Sequence, residues 1–464
     1  MIKNFACLVI LVAFPPALHP QTNNSTLVIR GASLVDVKSG TEFPNTAIVV
    51  QGDRITQVSK EGNVEVPVGA QIIDAKGKWV IPGLIDSHAH AEAADEAVFN
   101  LYLAHGVTTI RNPGGDVTVL RLTRDKLLRG GVVGPRLFFA GPALDGMPPV
   151  WPGGILLVDT PERARSAVNF LADQGVDFVK VYNNVKEPEL QVIVQTAKER
   201  GLPVSGHVPR TLTMTRAIEL GMTRLEHIRI TGKEMLTAEE AAAIDPLPVG
   251  KREPMLWQRF NLQSEKMRTL VQLLAKSRVF LDPTLVVDEY FEASTKEAIE
   301  RNPNNQYFPK ANIEEALKSW NTGVFETPPE LVPAAHEAFQ KEQKFVGLCG
   351  VAGVRIIAGT DGPGIGVLVP GFALHREMEL LVASGLSPSQ ALRAATSTAA
   401  EALGKEDQLG TVEPKKFADL VILDADPLAS VQNLKQIHLV VQGGKTYEPK
   451  TLLDEARARA NKKL

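Results

Sequence analysis

The segment VIPGLIDSHAHAE, residues 80–92, carries the pattern that decides both the fold and the chemistry of this chain. In it a short apolar run, GLID at residues 83–86, is followed closely by His88 and His90. Side chains two residues apart on an extended chain point to the same side, so both imidazoles are expected to face one space. A short buried strand that ends on a polar side chain is therefore the unit to look for in the rest of the chain.

Seven further apolar runs of strand length follow, and helical stretches separate them. Strands that alternate with helices are typical of parallel β/α units, and eight such strands predict an α/β fold built on a closed (β/α)8, TIM-like barrel. The predicted strands are 83–86, 108–112, 136–140, 178–182, 204–207, 224–227, 279–281 and 355–358, and the predicted helices include 161–174, 187–200, 255–276 and 333–348.

Polar side chains stand at the carboxyl ends of several of these strands. His207 closes the fifth strand, His227 closes the sixth, and Asp361 follows the eighth. In a barrel these ends meet at one face, where active sites are built. Each residue alone has an ordinary structural explanation, but neutral imidazoles and a carboxylate that converge are the preferred ligands of zinc and similar divalent ions. The residues predicted to form this metal site are His88, His90, His207, His227 and Asp361.

A lysine lies on the inward face of the fourth predicted strand. In VDFVKVY, residues 176–182, the side chains of Phe178, Lys180 and Tyr182 share that face. A buried ammonium group is costly unless it is paired or neutralised. Two interpretations stay open: an ion pair with a nearby carboxylate, or a lysine modified by carbon dioxide whose carbamate bridges two metal ions.

Composition excludes several classes of protein. The chain has 464 residues, of which 44% are hydrophobic and 22% charged, and its 50 Lys and Arg nearly balance its 53 Asp and Glu. Nucleic-acid binding through phosphates needs a clustered excess of basic residues, so no nucleic-acid partner is expected. Cys7 and Cys349 are the two cysteines, which is too few for a disulfide scaffold.

The two ends of the chain differ from its middle. Residues 1–21 begin with Lys3 and an apolar run at 5–14, which predicts a signal peptide; the alternative is a buried strand. The protein is then expected to be exported, periplasmic or extracellular, and free of the membrane after cleavage. Residues 25–80 and 418–448 contain short β-branched runs between Gly, Asp and Asn turns, which predict strands at both ends.

Together these motifs resemble the amidohydrolase superfamily, and within it the imidazolonepropionase-like and Xaa-Pro-dipeptidase-like proteins. The resemblance implies that the strand-rich ends pair into one small β-sandwich beside the barrel. The expected divisions are a signal peptide at 1–21, a first sandwich part at 22–80, a barrel at 81–405, and the remaining sandwich with a terminal helix at 406–464. The motifs that carry the resemblance are VIPGLIDSHAHAE at 80–92, HGVTTIRNPGG at 105–115, the segment LHREMELLVASGLSPSQALRAATSTAAEALG at 374–404 and LGTVEPKKFADLVILDADPL at 409–428.

The resemblance also implies a binuclear centre with two divalent ions, expected to be zinc. Lys180 would bridge them as a carbamate, and Asp361 would ligate the first ion and transfer protons. Cyclic deaminases and true imidazolonepropionases typically lack a lysine at this position, so Lys180 favours two ions over one. The implied histidine ligands are His88 and His90 for the more buried ion, and His207 and His227 for the second.

The activity implied is hydrolysis of a C–N bond by a hydroxide activated between the two ions, in a dipeptide (Xaa-Pro-like) or an N-acyl amino acid. A free carboxylate on such a small-molecule substrate needs a donor near the barrel mouth. Tyr182, Arg210 and Arg229 are the candidates, although an arginine on a barrel loop is often part of a surface ion pair.

Two other functions stay open on the sequence. The same metals serve cyclic amidases, lactonases and phosphotriester hydrolases, and an exported binding protein without catalysis would keep the fold. Association into a homo-oligomer is also left open.

Overall fold

The computed structural model describes residues 25–91, 96–150, 154–228, 234–293, 295–308, 310–320, 327–364 and 368–460. The predicted signal peptide at 1–21 and the substrate candidate Arg229 lie outside these residues. Among the helices of the described part, none has the length and apolar character needed to cross a bilayer.

The strands are numbered in chain order. They are β1 Thr26–Asp36, β2 Thr41–Gln51, β3 Arg54–Lys60, β4 Gln71–Asp74, β5 Trp79–Pro82, β6 Leu84–Asp86, β7 Val107–Asn112, β8 Arg136–Phe139, β9 Ala143–Asp145, β10 Ile155–Leu157, β11 Val179–Val181, β12 Val204–Gly206, β13 Arg224–Glu226, β14 Phe280–Asp282, β15 Arg355–Ile356, β16 Leu420–Leu423, β17 Ile437–Gln442 and β18 Lys445–Tyr447.

The α-helices follow the same numbering. They are α1 Glu96–Ala104, α2 Val117–Leu128, α3 Pro161–Asp173, α4 Glu187–Glu199, α5 Met214–Leu220, α6 Ala238–Ile244, α7 Val249–Gln258, α8 Glu265–Ser277, α9 Leu285–Asp288, α10 Lys296–Glu300, α11 Lys310–Trp320, α12 Val332–Val351, α13 Phe372–Ala383, α14 Pro388–Ala394, α15 Ser397–Leu403 and α16 Pro449–Ala460.

Strands from both ends of the chain form one eight-stranded sheet. Its order is β18-β17-β16-β5-β1-β2-β3, with β4 paired to β1. The two ends meet where β5 pairs antiparallel with β16, so that Pro82 lies opposite Leu420. Ile29, Ile48 and Ile422 are fully buried in the apolar core of this sheet. The sheet therefore depends on residues from both ends of the chain.

The middle of the chain forms two sheets in which every strand pairing is parallel. The smaller sheet has the order β6-β7-β8, and the larger has the order β10-β9-β11-β12-β13-β14-β15. Backbone hydrogen bonds join both edges of the smaller sheet to the larger one. The amide of Asp177, just before β11, donates to Phe139 O at 2.9 Å, and the amide of Ser87, just after β6, donates to Ala358 O at 2.9 Å.

Each of the eight strands predicted for the middle of the chain is present, with ends within two residues of the prediction. The strands β9 and β10 were not predicted, since each has three residues and gives too short an apolar run to recognise. The single helix predicted at 255–276 is wrong. Two helices, α7 and α8, lie there, and α8 begins where the Ser264 side chain accepts a hydrogen bond from Met267 N at 3.2 Å.

The predicted terminal helix is α16, and it packs on the central part of the chain. Leu452 lies in one apolar cluster with Leu103 and Ala104 of α1. The Asn100 side chain donates to Glu455 Oε2 at 2.9 Å. Through these contacts the end of the described chain returns to the helix that follows β6.

Replacing Ile422 by Ala should lower the free energy of unfolding by about 2–5 kcal/mol, because the change opens a cavity in the core shared by both ends of the chain. Ile72→Ala is the matched control. Ile72 also lies in a strand of this sheet but is 52% exposed, so its loss should be below about 0.5 kcal/mol. Urea unfolding measures both. Equal losses would contradict the assignment of Ile422 to a shared core.

Candidate metal centre

His88 and His90 follow β6 and converge on Asp361, which follows β15. His88 Nε2 lies 3.3 Å from Asp361 Oδ1, and His90 Nε2 lies 2.9 Å from the same oxygen. The two imidazole rings are 5.4 Å apart between their centroids. His88 is buried, whereas His90 is 30% exposed, so the cluster opens toward solvent on the side of His90.

Backbone hydrogen bonds hold the Asp361 loop against His88. The amides of Thr360 and Asp361 both donate to His88 O, at 3.0 and 2.7 Å. Buried Asp86 adds a second connection, because it accepts from His88 N at 3.1 Å and from the Thr360 hydroxyl at 2.7 Å. The carboxyl ends of β6 and β15 are therefore fixed relative to each other.

His207 and His227 follow the neighbouring strands β12 and β13. Their rings are 4.7 Å apart and nearly perpendicular. His207 Nδ1 lies 2.7 Å from Asn183 Oδ1, and His227 Nδ1 lies 2.6 Å from Thr284 Oγ1. The Thr284 hydroxyl donates to Pro283 O at 2.8 Å, so it can accept from His227. With Nδ1 of each ring occupied as a donor, each Nε2 keeps its lone pair for a metal.

Three of the predicted metal ligands, His88, His227 and Asp361, lie together in the structure. The rings of His88 and His227 are 4.9 Å apart. One ligand atom from each of His88, His227 and Asp361 lies within 4.8 Å of the others. Two imidazoles beside a carboxylate suit zinc and similar divalent ions in type and number. The donor set therefore fits a metal centre.

The electrostatics of the cluster also suit a cation. Burial lowers the pKa of His207 and of His227 well below the usual value, which keeps both rings in the neutral form that binds metal. Burial acts in the same direction on His88, but Glu226 and Asp361 outweigh it and raise the pKa of His88 to about 9. Carboxylates that draw a proton to His88 would equally attract a metal ion.

Asp361 is ionised in this setting. Burial acts to raise its pKa, but the neighbouring His88 and His90 hold the pKa of this carboxyl well below its usual range. A carboxylate that stays charged between imidazoles can act both as a ligand and as a proton acceptor.

Lys180, on β11, is buried and forms an ion pair with Glu226 at the end of β13. Glu226 also accepts from Arg111 of β7, with Arg111 Nη2 at 2.7 Å from Glu226 Oε1. The Arg111 guanidinium lies over the Phe178 ring, 3.9 Å from its centroid. In this structure Lys180 therefore forms an ion pair with a carboxylate, which is one of the two interpretations that the sequence left open. The carbamate on Lys180 stays a prediction.

Glu226, Arg111 and Asp282 also belong to this region, although none of them was predicted from the sequence. Arg111 and Glu226 could have been recognised as charged residues within short apolar strands, where a charge needs a partner. Asp282 ends β14, and the strand predicted at 279–281 stopped one residue before it. Its Oδ2 atom lies 3.7 Å from His88 Nδ1.

Two of the three substrate candidates lie beside the cluster, and the third, Arg229, is outside the described residues. The Tyr182 ring is 4.2 Å from the His207 ring. The Arg210 amide donates to Asn183 O at 2.7 Å, so one asparagine supports both Arg210 and His207. Half-buried Arg210 has no ion pair with any described residue. Burial, and then the charge of Arg252, lower the pKa of its guanidinium.

His105 and His375 lie outside the cluster and contact backbone carbonyls instead. His105 Nδ1 is 2.7 Å from Leu101 O, and His375 Nε2 is 3.0 Å from His105 O. Both are buried, and burial lowers the pKa of His105 to about 4 and that of His375 to about 3. They are neutral side chains that cap backbone carbonyls.

Comparison with known proteins gives local and full-length similarities. The chain is 34% identical to an adenine deaminase from Rubrobacter xylanophilus over 106 residues, which are 23% of this chain and 17% of the deaminase. It is 22% identical to an ochratoxinase from Aspergillus niger over an alignment covering 93% of this chain and 89% of that enzyme. The chain spans about a sixth of the length of the curated relatives that match it first.

Among solved structures, a candidate prolidase from Bifidobacterium longum is similar, with a TM-score of 0.68 and 26% identity. The alignment covers 93% of this chain and 99% of that one. The sequence pattern that defines the amidohydrolase family matches residues 79–447, a range that contains all six predicted metal ligands. With histidines and a carboxylate converging at the strand ends inside that range, this chain belongs to the amidohydrolase family.

Proposed function

We propose that this protein is a metal-dependent hydrolase that cleaves a C–N bond in a dipeptide, Xaa-Pro-like, or in an N-acyl amino acid. The observation that carries the proposal is the convergence of His88, His227 and Asp361, whose ligand atoms lie within 4.8 Å of one another. Membership of the amidohydrolase family supports hydrolysis. Similarity to an ochratoxinase and to a candidate prolidase favours an amide bond as the target. Export stays a prediction that rests on residues 1–21.

The proposal includes a closed barrel. The two parallel sheets are hydrogen-bonded at both edges of the smaller one, as closure requires. The eight-stranded sheet would then be the sandwich, with its parts at 22–80 and 406–464 around a barrel at 81–405. In this arrangement the polar side chains that follow β6, β12, β13 and β15 all lie at one face.

Two metal ions would be held at this face. His88, His90 and Asp361 would hold one ion, and the second would be held by His207 and His227, with Lys180 between them as a carbamate. Divalent ions bound there would polarise a substrate carbonyl and lower the pKa of a water molecule.

The proton transfers fall to Asp361. Its carboxylate is ionised beside His88 and His90, so it can accept the proton of the attacking water and then donate it to the leaving nitrogen. The hydrogen bonds from the amides of Thr360 and Asp361 to His88 O fix the backbone from which this carboxylate projects.

Substrate recognition is assigned to the side next to His207. The Tyr182 ring contacts the His207 ring there, and the Arg210 backbone is attached to the same asparagine. A guanidinium group without an ion-pair partner among the described residues is suited to a free carboxylate, which it can bind through two parallel hydrogen bonds. Dipeptides and N-acyl amino acids both carry such a carboxylate.

Asp361→Asn should lower kcat by about 10²–10⁴-fold, because the amide cannot accept the proton, while the metal content stays largely unchanged. Asp407→Asn, at an exposed loop position, is the control and should keep wild-type kcat. Steady-state kinetics and elemental mass spectrometry are the measurements. Near-normal turnover in the Asp361 variant would refute the assignment.

Lys180→Ala should reduce the metal content from two ions per chain to about one, since the bridging ligand is lost, and short-chain carboxylic acids should restore part of the activity. Lys416→Ala is the control, because Lys416 is also buried but hydrogen-bonds to Glu406 O and Thr411 outside the cluster. A metal-to-protein ratio that Lys180→Ala leaves unchanged would count against a bridging carbamate.

Arg210→Met should raise KM by about 10–100-fold for substrates with a free carboxylate, because a charged hydrogen bond is lost, and should leave kcat nearly unchanged. Substrates with an amidated carboxyl group should show no such rise. Arg121→Met, at an arginine on α2 that bonds Gln174, is the control.

The substrate panel for these assays contains Xaa-Pro dipeptides, N-acyl amino acids, lactones, phosphotriesters and adenine. Faster turnover of lactones or phosphotriesters than of any amide would favour the alternative hydrolases. The same rise in KM for free and amidated substrates would remove Arg210 from carboxylate recognition.

A further inference from the structure

The buried carboxylate of Asp282 lies behind the candidate metal centre. Asp282 ends β14, and its side chain is wholly buried. Neither of its carboxylate oxygens has a hydrogen-bond partner among the described residues. Such a group is costly in a protein interior, so its presence calls for a partner.

The imidazole of His88 lies beside this carboxylate. His88 Nδ1 is buried, has no hydrogen bond to any described residue, and lies 3.7 Å from Asp282 Oδ2. The opposite nitrogen, His88 Nε2, faces Asp361 at 3.3 Å. The imidazole therefore stands between two carboxylates, with Asp361 on the side of the metal and Asp282 behind. A movement of about 1 Å brings the Asp282 contact into hydrogen-bonding range.

A second carboxylate competes for the same nitrogen. Glu226 Oε2 lies 3.8 Å from His88 Nδ1. In this structure, with Lys180 as an amine, both of its oxygens have partners, because Arg111 binds Oε1 and Lys180 binds Oε2. Asp282 is thus the acceptor with free capacity.

The backbone opposite makes room for this contact. A Cβ atom on Gly359 would lie 2.5 and 2.6 Å from the two carboxylate oxygens of Asp282 and 2.6 Å from the Cβ of His88. These distances are shorter than atoms without a bond between them tolerate, so a side chain at residue 359 would push Asp282 away from His88. Glycine at this position leaves the carboxylate and the imidazole in contact.

We propose that Asp282 is a positioning residue of the metal centre, whose carboxylate accepts a hydrogen bond from His88 Nδ1. This bond fixes the tautomer in which Nε2 carries the lone pair and faces the ion, and it holds the ring in that orientation. Asp282 itself touches neither metal nor substrate. The inference rests on the metal centre of the proposed function.

The test uses the full chain and zinc alone. Asp282→Asn keeps the size of the side chain but removes its charge, and should weaken zinc binding by about 10–100-fold in competition with a chelating dye. Glu377→Gln is the matched control. Glu377 is also fully buried, and its Oε2 accepts a backbone hydrogen bond from Val286 N at 2.8 Å. This control should bind zinc as the wild-type chain does.

Two results of the titration would overturn the proposal: wild-type zinc affinity in Asp282→Asn, or an equal loss of affinity in Glu377→Gln. A wild-type chain that binds no zinc would overturn the metal centre of the proposed function as well, which separates the two failures. Melting temperatures of the three proteins show whether a change in affinity merely follows a loss of stability.

A second measurement tests the same hydrogen bond without the Asp282→Asn variant. In zinc-loaded wild-type protein with 15N-labelled histidine, the His88 resonances, assigned by their absence in His88→Gln, should show a proton on Nδ1 and metal coordination through Nε2. An unprotonated Nδ1 on His88 would overturn the proposal.

Discussion

The balance of buried charge at the strand ends is the constraint on which the rest of this structure depends. Arg111, Lys180 and Glu226 are all buried, and each charge alone would cost several kcal/mol to remove from water. They come from β7, β11 and β13, so the pair of Arg111 and Glu226 joins the smaller parallel sheet to the larger one. The ion pairs that offset the cost of burying these charges therefore also fix the strand ends that carry the histidines.

This balance bears on the state of Lys180. A carbamate would replace a cation beside Glu226 with an anion, and the positive charge of the ions and of Arg111 would then have to compensate both. Arg111 contacts Glu226, Ser87 O and the Phe178 ring. It is therefore a counter-charge for Glu226 that does not involve Lys180.

The sequence predicted eight strands of the central region and the histidines that follow them, because both signals are local. A short apolar run that ends on His207 or His227 is visible without knowledge of its neighbours. Contacts that depend on the fold were not visible. Arg111 and Glu226 meet only because separate strands are brought together, and Asp282 precedes a proline, where an aspartate is typical of a turn. The break between α7 and α8 was missed because the helical pattern continues across it, and the cap at Ser264 is a single side chain.

The pairing of β5 with β16 determines when the sheet can be completed during synthesis of the chain. β5 leaves the ribosome early, yet its partner is made only after the whole central region. Until then one edge of β5 has open backbone groups beside apolar side chains such as Val80, a surface that other chains can pair with. The nascent chain therefore exposes an unpaired edge of β5 until β16 has been synthesised. Pairing with β16 then covers this edge.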